Sequence, residues 1–227
     1  METKIITYGT AGYSDLLKNF YKNLDSLGLS DRLKIFCLDD EVFYNLNTFA
    51  RKATVIKWIS ESPKTMVEYG KCNYHLIMED KLDIISQELP KHDYILYSDA
   101  DVFFNKNPLP YLEELSSQKY TEAMFMLDWN GDVCAGFFLA KNCKNCEDLF
   151  KPESLDEFKD FDQTLINNRL KMYPIKHNIL DAKLFSNGPL WRGGVSEWSL
   201  DYFVTHHNAI SAFKKESVMR EYGHWIL

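Results

Sequence analysis

The sequence predicts an α/β fold with a mostly parallel, mixed sheet flanked by helices, and three observations carry that expectation. Short β-branched, apolar runs alternate with stretches of helical periodicity, as in repeated βα units. Polar or turn-forming residues (Tyr8 to Tyr13, Asp39 and Asp99) follow those runs, at the carboxyl ends of strands where open α/β sheets bind ligands. One aromatic, apolar run, His92-Asp93-Tyr94-Ile95-Leu96-Tyr97-Ser98, ends abruptly in Asp99-Ala100-Asp101 before a second apolar run begins.

Lys4-Ile5-Ile6-Thr7-Tyr8 reads as the first strand, and Gly9-Thr10-Ala11-Gly12 breaks it. Ser14 is placed to cap a helix over residues 15–27, where Leu16, Leu17, Phe20, Leu24 and Leu27 recur at helical spacing. The amides of the intervening loop can hold a nucleotide, or the loop is a plain strand-to-helix turn, since its two glycines do not make a G-x-G-x-x-G fingerprint. Residues 34–38 form a second strand closed by Asp39, which either binds a ribose hydroxyl or base edge or caps the helix that runs to Ala50. A third strand spans 53–56. A helix over 71–89 follows, with Leu76, Ile77, Leu82, Ile84, Ile85 and Leu89 mostly on one face and Pro90 as its stop.

In an extended segment Asp99 and Asp101 point to the same side. Two carboxylates converging at the mouth of a buried strand repel each other unless a cation lies between them or one takes a proton. Mn2+ or Mg2+ fits that need, because each takes oxygen ligands and leaves positions for water and phosphate. The same pair also suits a turn or a helix cap, and Asp-x-Asp arises by chance about once in a chain of this size.

Beyond the pair, Asn107-Pro108-Leu109-Pro110 is a turn before a short helix. Residues 123–127 form a strand, Asp128-Trp129-Asn130-Gly131-Asp132 a tight turn, and residues 133–140 a returning strand. Gly136 inside that strand marks either a close approach to the backbone or a bulge. A helix over 155–170 carries Asp162-Gln163, which either present a carboxylate and an amide to a polyol or cap a first turn. The stretches 185–189 and 191–194 read as loops. Tyr202-Phe203-Val204-Thr205 delivers His206-His207-Asn208, a further metal ligand or a surface pair, and Lys214 and Lys215 follow about two helical turns later.

The 227 residues suit one domain, 1–227, and a composition of 45% hydrophobic and 15% aromatic residues describes an ordinary folded protein. A net charge of -7 without a basic run excludes a nucleic-acid surface, so positive charge for phosphate must come locally or from a metal. Five scattered cysteines are not a disulfide framework, and the Cys143-x-x-Cys146 pair reads as surface thiols. No apolar leader precedes the first strand and no run reaches membrane-span length, so a soluble, cytoplasmic chain without an integral membrane segment is expected.

The stretches Tyr97-Ser98-Asp99-Ala100-Asp101-Val102-Phe103-Phe104, Ala135-Gly136-Phe137-Phe138, Phe161-Asp162-Gln163-Thr164-Leu165-Ile166-Asn167 and His206-His207-Asn208, in this order, resemble the nucleotide-diphospho-sugar transferases of the Rossmann-like GT-A fold. The group resembled is glycosyltransferase family 77, retaining α-xylosyl- and α-galactosyltransferases, with kinship to family 8. The resemblance implies a metal-dependent glycosyltransferase that moves a sugar from a nucleotide donor, a UDP-sugar by default, to a glycan or glycoprotein hydroxyl. It implies Asp99, Asp101 and His206 as ligands of Mn2+ or Mg2+, with Ser98, Asp99 and Ala100 beside the donor. Asp162 would hold the donor sugar's hydroxyls, Gln163 would lie near its β-face, and Gly136 would let the sugar rest against the backbone. Thr7, Tyr8, Gly9, Tyr13 and Asp39 would hold the nucleoside, and Lys214 or Lys215 the diphosphate. Trp129, Trp191 and Trp198 are either an acceptor platform or core residues. A nucleotidyltransferase would want a basic glycine-rich loop after the first strand, which Gly9 to Gly12 lacks, and a catalytically silent nucleotide-sugar-binding protein remains the non-enzymatic alternative.

Overall fold

In the first strand, β1 (Thr3–Gly9), every residue except Lys4 is buried, which requires cover on both faces and pairing on both edges. The computed structural model, which describes residues 2–71, 73–155, 161–188 and 202–227, supplies both. β1 pairs in parallel with β2 (Leu33–Cys37) and with β4 (Tyr94–Ser98). Beyond β2 lies β3 (Thr54–Lys57), and beyond β4 come β7 (Val133–Lys141), β6 (Ala123–Leu127) and β8 (His177–Ile179), giving the order β3-β2-β1-β4-β7-β6-β8. In this sheet, among the described residues, only β7 runs antiparallel to its neighbours. This is the mostly parallel, mixed α/β sheet that the alternating pattern predicts.

The period of two along β1 divides the core. Ile5 faces α1 (Ser14–Ser26), α2 (Asp40–Phe49) and α4 (Leu109–Lys119), joining Leu17, Phe20, Leu46 and Leu112. Ile6 faces α3 (Tyr74–Glu88), α5 (Lys144–Leu149) and α6 (Asp162–Met172), joining Leu82, Ile85, Leu149 and Ile166. Each such fully buried side chain contributes about 1.5–3 kcal/mol.

Several expectations need correction. Ser14 is the first residue of α1, not its cap, because a 3-10 turn at Ala11–Tyr13 runs straight into the helix. α3 begins at Tyr74, after Asn73 in the left-handed region, not at residue 71. α6 begins at Asp162, and Leu155 precedes it in non-helical chain, its N–H held by Glu79. Residues 185–187 are strand rather than loop: β9 (Phe185–Asn187) pairs in parallel with β10 (Val204–His206), which pairs antiparallel with β5 (Val102–Phe104) in a second sheet of three strands. Cys146 is buried, its thiol donating to the Glu122 carbonyl, so only the half-buried Cys143 approaches the expected surface thiol. The stretch 191–194, Trp191 and Trp198 lie outside the described residues.

The second sheet changes the reading of the acidic pair. β4 stays in the main sheet through Ser98, β5 joins the small one, and Asp99 to Asp101 form the turn between them, with Val102 N–H donating to Asp99 O at 3.2 Å. The carboxylates therefore converge by a turn and not by alternation along one strand.

Candidate active site

A cavity of about 600 Å³ opens at the carboxyl ends of β1 and β4. Asp99 and Asp101 enter it from the turn between the sheets, and His206 enters from β10, whose pairing with β5 sets His206 opposite Val102. His206 Nε2 lies 3.3 Å from Asp101 Oδ1 and 3.7 Å from Asp99 Oδ2. Each of the three residues offers a ligand atom, and those atoms all lie within 4.8 Å of one another. β7 makes room for them. A methyl group at Gly136 would lie 2.3 Å from His206 Cε1 and 2.6 Å from Asp99 Oδ2, so only glycine lets the ring and the carboxylate meet here. The sequence left close approach and bulge open at this position, and both occur: the pairing of β6 with β7 also shifts register between Phe125 and Met126.

Charge balances tightly in the cluster. Burial opposes ionisation of Asp101, but the charges of Lys215 and His206 outweigh it and hold the carboxyl well below its usual range. Burial would depress the His206 imidazole, yet Asp101 raises it to about 10. The Lys215 ammonium sits on Asp101 Oδ2. Two hard oxygen donors and an imidazole, drawn together with a lysine as counter-charge, fit a divalent ion such as Mn2+ or Mg2+. Metal ligation needs neutral imidazole, so uptake releases the His206 proton and affinity at this cluster rises with pH.

Deeper in the wall stands Lys81, which the sequence reading missed. It is 2% exposed, with Nζ 2.6 Å from Asp162 Oδ2, 3.7 Å from Asp99 Oδ1 and 4.4 Å from the centroid of the Tyr97 ring. Burial lowers its pKa, but Asp162 and Asp99 outweigh burial and leave it raised. One signal was available: Lys81 is in helical phase with Ile77, Ile84 and Ile85, a lysine on the apolar face of its helix. Lys81→Met strands a buried carboxylate at Asp162, so stability should fall by about 3–5 kcal/mol. Adding Asp162→Asn should restore much of it in denaturant unfolding, and a double variant no more stable than Lys81→Met would contradict the pairing.

Asp162 opens α6, and the Gln163 side chain ties that helix down: Oε1 accepts from Ala135 N–H at 3.3 Å and Nε2 donates to Asp128 Oδ2 at 2.8 Å. Residues 64–68 fold over the loop after β1. Gly12 N–H donates to Lys64 O, the Tyr13 hydroxyl donates to Val67 O, and Glu68 accepts from Ala212 N–H and from the Ser211 hydroxyl.

Of the residues expected at the site, Tyr8, Gly9, Tyr13, Asp99, Ala100, Asp101, Gly136, Asp162, Gln163, His206 and Lys215 line the cavity. Thr7, Asp39, Ser98 and Lys214 do not. Thr7 is wholly buried in β1, and the Ser98 hydroxyl donates to the carbonyl of Asp99. Asp39 takes the capping role: Oδ1 accepts from Val42 N–H at 2.9 Å and Oδ2 from Ala11 N–H at 2.7 Å. Lys214 is exposed, and Lys215, at the start of α7 (Lys215–Glu221), is the lysine that reaches inward. Lys81, Glu68, Tyr69 and Tyr74 line the cavity without having been expected there.

Comparison with known proteins agrees with this architecture. The profile of the nucleotide-diphospho-sugar transferases matches residues 28–219. A UDP-galactose:fucoside alpha-3-galactosyltransferase of Dictyostelium discoideum is 19% identical across 99% of the chain, and an arabinosyltransferase of Arabidopsis thaliana is 28% identical over 108 residues, 48% of it. The chain spans less than half the length of these relatives, 43% and 16% respectively. Among solved structures, the galactosyltransferase LgtC in complex with donor and acceptor sugar analogues superposes with a TM-score of 0.60 at 13% identity, covering 99% of this chain and 96% of that one. A glycosyltransferase involved in glycosylation of the major capsid of PBCV-1 superposes with 0.61, also at 13% identity, covering 96% of this chain and 98% of that one. With its sheet order, its site at the strand ends and most of its length matched, the chain belongs to the nucleotide-diphospho-sugar transferase family and has the GT-A fold.

Proposed function

We propose that residues 1–227 act as one domain, a metal-dependent glycosyltransferase that moves a sugar from a UDP-sugar to a glycan or glycoprotein hydroxyl with retention at the anomeric carbon. The observation that carries this reading is the convergence of Asp99, Asp101 and His206 in the cavity of a fold built for nucleotide sugars. Held by these three residues, a divalent ion would supply stabilisation of the negative charge that grows on the diphosphate as the sugar departs.

The chain's own residues divide the remaining work. Tyr8, Gly9 and Tyr13 line the end nearest β1 and take the nucleoside, while Asp39 supports them from behind through Ala11. Lys215 adds positive charge at the diphosphate, and Asp162, fixed by Lys81, holds hydroxyls of the donor sugar. Gln163 stands beside Asp162 on the same helical turn.

In the reaction the bond from the anomeric carbon to the diphosphate oxygen breaks, and the acceptor oxygen bonds to that carbon on the same face. The acceptor's proton passes to the departing diphosphate oxygen, which serves as the base. Asp162 stays ion-paired with Lys81 throughout and forms no covalent adduct.

Incubation with a panel of UDP-sugars and Mn2+, followed by NMR of the anomeric configuration of the product, tests this. Mn2+-dependent release of UDP with a product that keeps the donor's anomeric configuration is expected. Full activity in EDTA, a product of inverted configuration, or a glycosyl adduct on Asp162 would overturn it.

A further inference from the structure

Two large aromatic residues at this cavity are left uncovered, whereas most of the described rings are at least partly buried. Trp129 is 66% exposed and Tyr69 is 63% exposed, and both line the cavity. Neither is loosely held.

The turn carrying Trp129 is braced in every direction. Asp128 N–H donates to Asp132 O at 2.8 Å and Gly131 N–H to Asp128 O at 3.1 Å, while Asp128 Oδ1 accepts from Trp129 N–H at 2.9 Å and from the Asn187 amide at 2.7 Å. Asp128 Oδ2 then accepts from Gln163, so one carboxylate ties the Trp129 backbone to the first turn of α6, where Asp162 stands. Tyr69 is backed by Phe161, stacked at 4.6 Å and 26°, and by the edge of Tyr74 at 5.3 Å. Burial, then the charges of Asp162 and Asp128, hold the Tyr69 phenol above its usual pKa.

Leaving such rings open forgoes much of the burial of about 150–250 Å² that each can give, so two open rings at one cavity, one on a hydrogen-bonded turn and one backed by other rings, are best explained by a ligand that covers them. Their place along the cavity says which one. Tyr69 stacks on Phe161, the residue before Asp162, and Trp129 follows Asp128, which accepts from Gln163, so both rings border the position assigned to the donor sugar. A pyranose presents an apolar C–H face and a rim of hydroxyls. Open aromatic faces next to the side chains of Asp128, Asn130 and Gln163 suit both parts. A polypeptide acceptor would draw instead on main-chain partners or an apolar groove.

We propose that Trp129 and Tyr69 form the acceptor subsite, and that the acceptor is a saccharide stacking its pyranose C–H face on these rings. This deepens the glycosyltransferase reading and rests on it for the direction of transfer.

Ligand-observed NMR on the full chain tests the binding directly. Methyl β-galactopyranoside, methyl β-glucopyranoside and methyl β-xylopyranoside serve as probes, with and without UDP and Mn2+. Saturation transfer should be strongest at ring C–H protons of at least one probe. Trp129→Ala should weaken its binding about tenfold or more, the loss expected when a large apolar contact is removed, and Trp129→Phe should recover part of it. Tyr69→Ala should act in the same direction. Unchanged saccharide binding in both alanine variants would overturn the proposal, as would binding of a serine- or tyrosine-containing peptide by a wild type that binds none of the glycosides. UDP affinity of the wild type is measured separately. Glycoside binding through Trp129 without any UDP binding would sink the donor reading and leave the saccharide site standing.

Discussion

Replacing Asp101 with asparagine should lower sugar transfer by about 10²–10³-fold, the scale on which preorganised charge at a reacting centre acts. Asp101 is 5% exposed at its side chain and meets both His206 and Lys215, so no neighbouring solvent can substitute for its charge. Asparagine keeps the shape, the backbone carbonyl that accepts from His207 N–H at 3.0 Å, and therefore the turn. What disappears is the anionic ligand and the reason for the raised imidazole. Initial-rate measurements with Mn2+ at saturating donor check the loss, and a variant retaining a tenth or more of the wild-type rate would contradict it.

The same variant carries a pH signature in the metal-free protein. His206 in the wild type has a pKa raised to about 10, so its contribution to stability is complete below the imidazole's unfolded value of about 6.5 and fades as pH rises through 10. Asp101 is held well below its usual range, so its contribution is present above the ordinary carboxylate pKa and is lost only in acid. The stability gap between wild type and Asp101→Asn should therefore be widest at weakly acidic pH and narrow towards pH 10. Denaturant midpoints across that range measure it.

Gly136→Ala should be nearly as damaging by a different route. The new methyl group would lie 2.3 Å from His206 Cε1, 2.6 Å from Asp99 Oδ2 and 3.0 Å from His206 Nε2. His206 cannot retreat, because it is buried within β10, and Asp99 accepts from the Tyr97 hydroxyl at 2.5 Å. Either the ring or the carboxylate must leave the cluster. Mn2+ affinity should fall about a hundredfold, with a stability cost of about 1–3 kcal/mol for the overpacked strand. Manganese titration followed by electron paramagnetic resonance reads the first and thermal unfolding the second. Wild-type Mn2+ affinity in this variant would mean that the three side chains do not act together.

How much of this was legible in the sequence depends on the range of each signal. The main sheet was, because Ile5 and Ile6, Ile35 and Phe36, and Ile95 and Leu96 bury in opposite directions from consecutive positions, and that is a local property of a strand. The second sheet was not. β5, β9 and β10 are three residues each, too short for periodicity, and β5 finds its partner across a hundred residues of chain. Asp99 and Asp101 were correctly brought together, but a switch between sheets achieves it. Asp39 left two roles open in the sequence and fills the capping one, since its oxygens are taken by amides that only the folded loop presents. Lys81 was passed over as one polar residue in a helix, whereas the more conspicuous Lys214 points outward. Pairing in space, not residue type, separates those lysines.

The central claim is that Asp99, Asp101 and His206 make nucleotide binding depend on a divalent ion. Isothermal titration of UDP into the wild type, once with Mn2+ and once with EDTA, tests it most directly. Saturable binding with Mn2+ that vanishes in EDTA is the predicted result. Equal affinity under both conditions, or no binding under either, would contradict it.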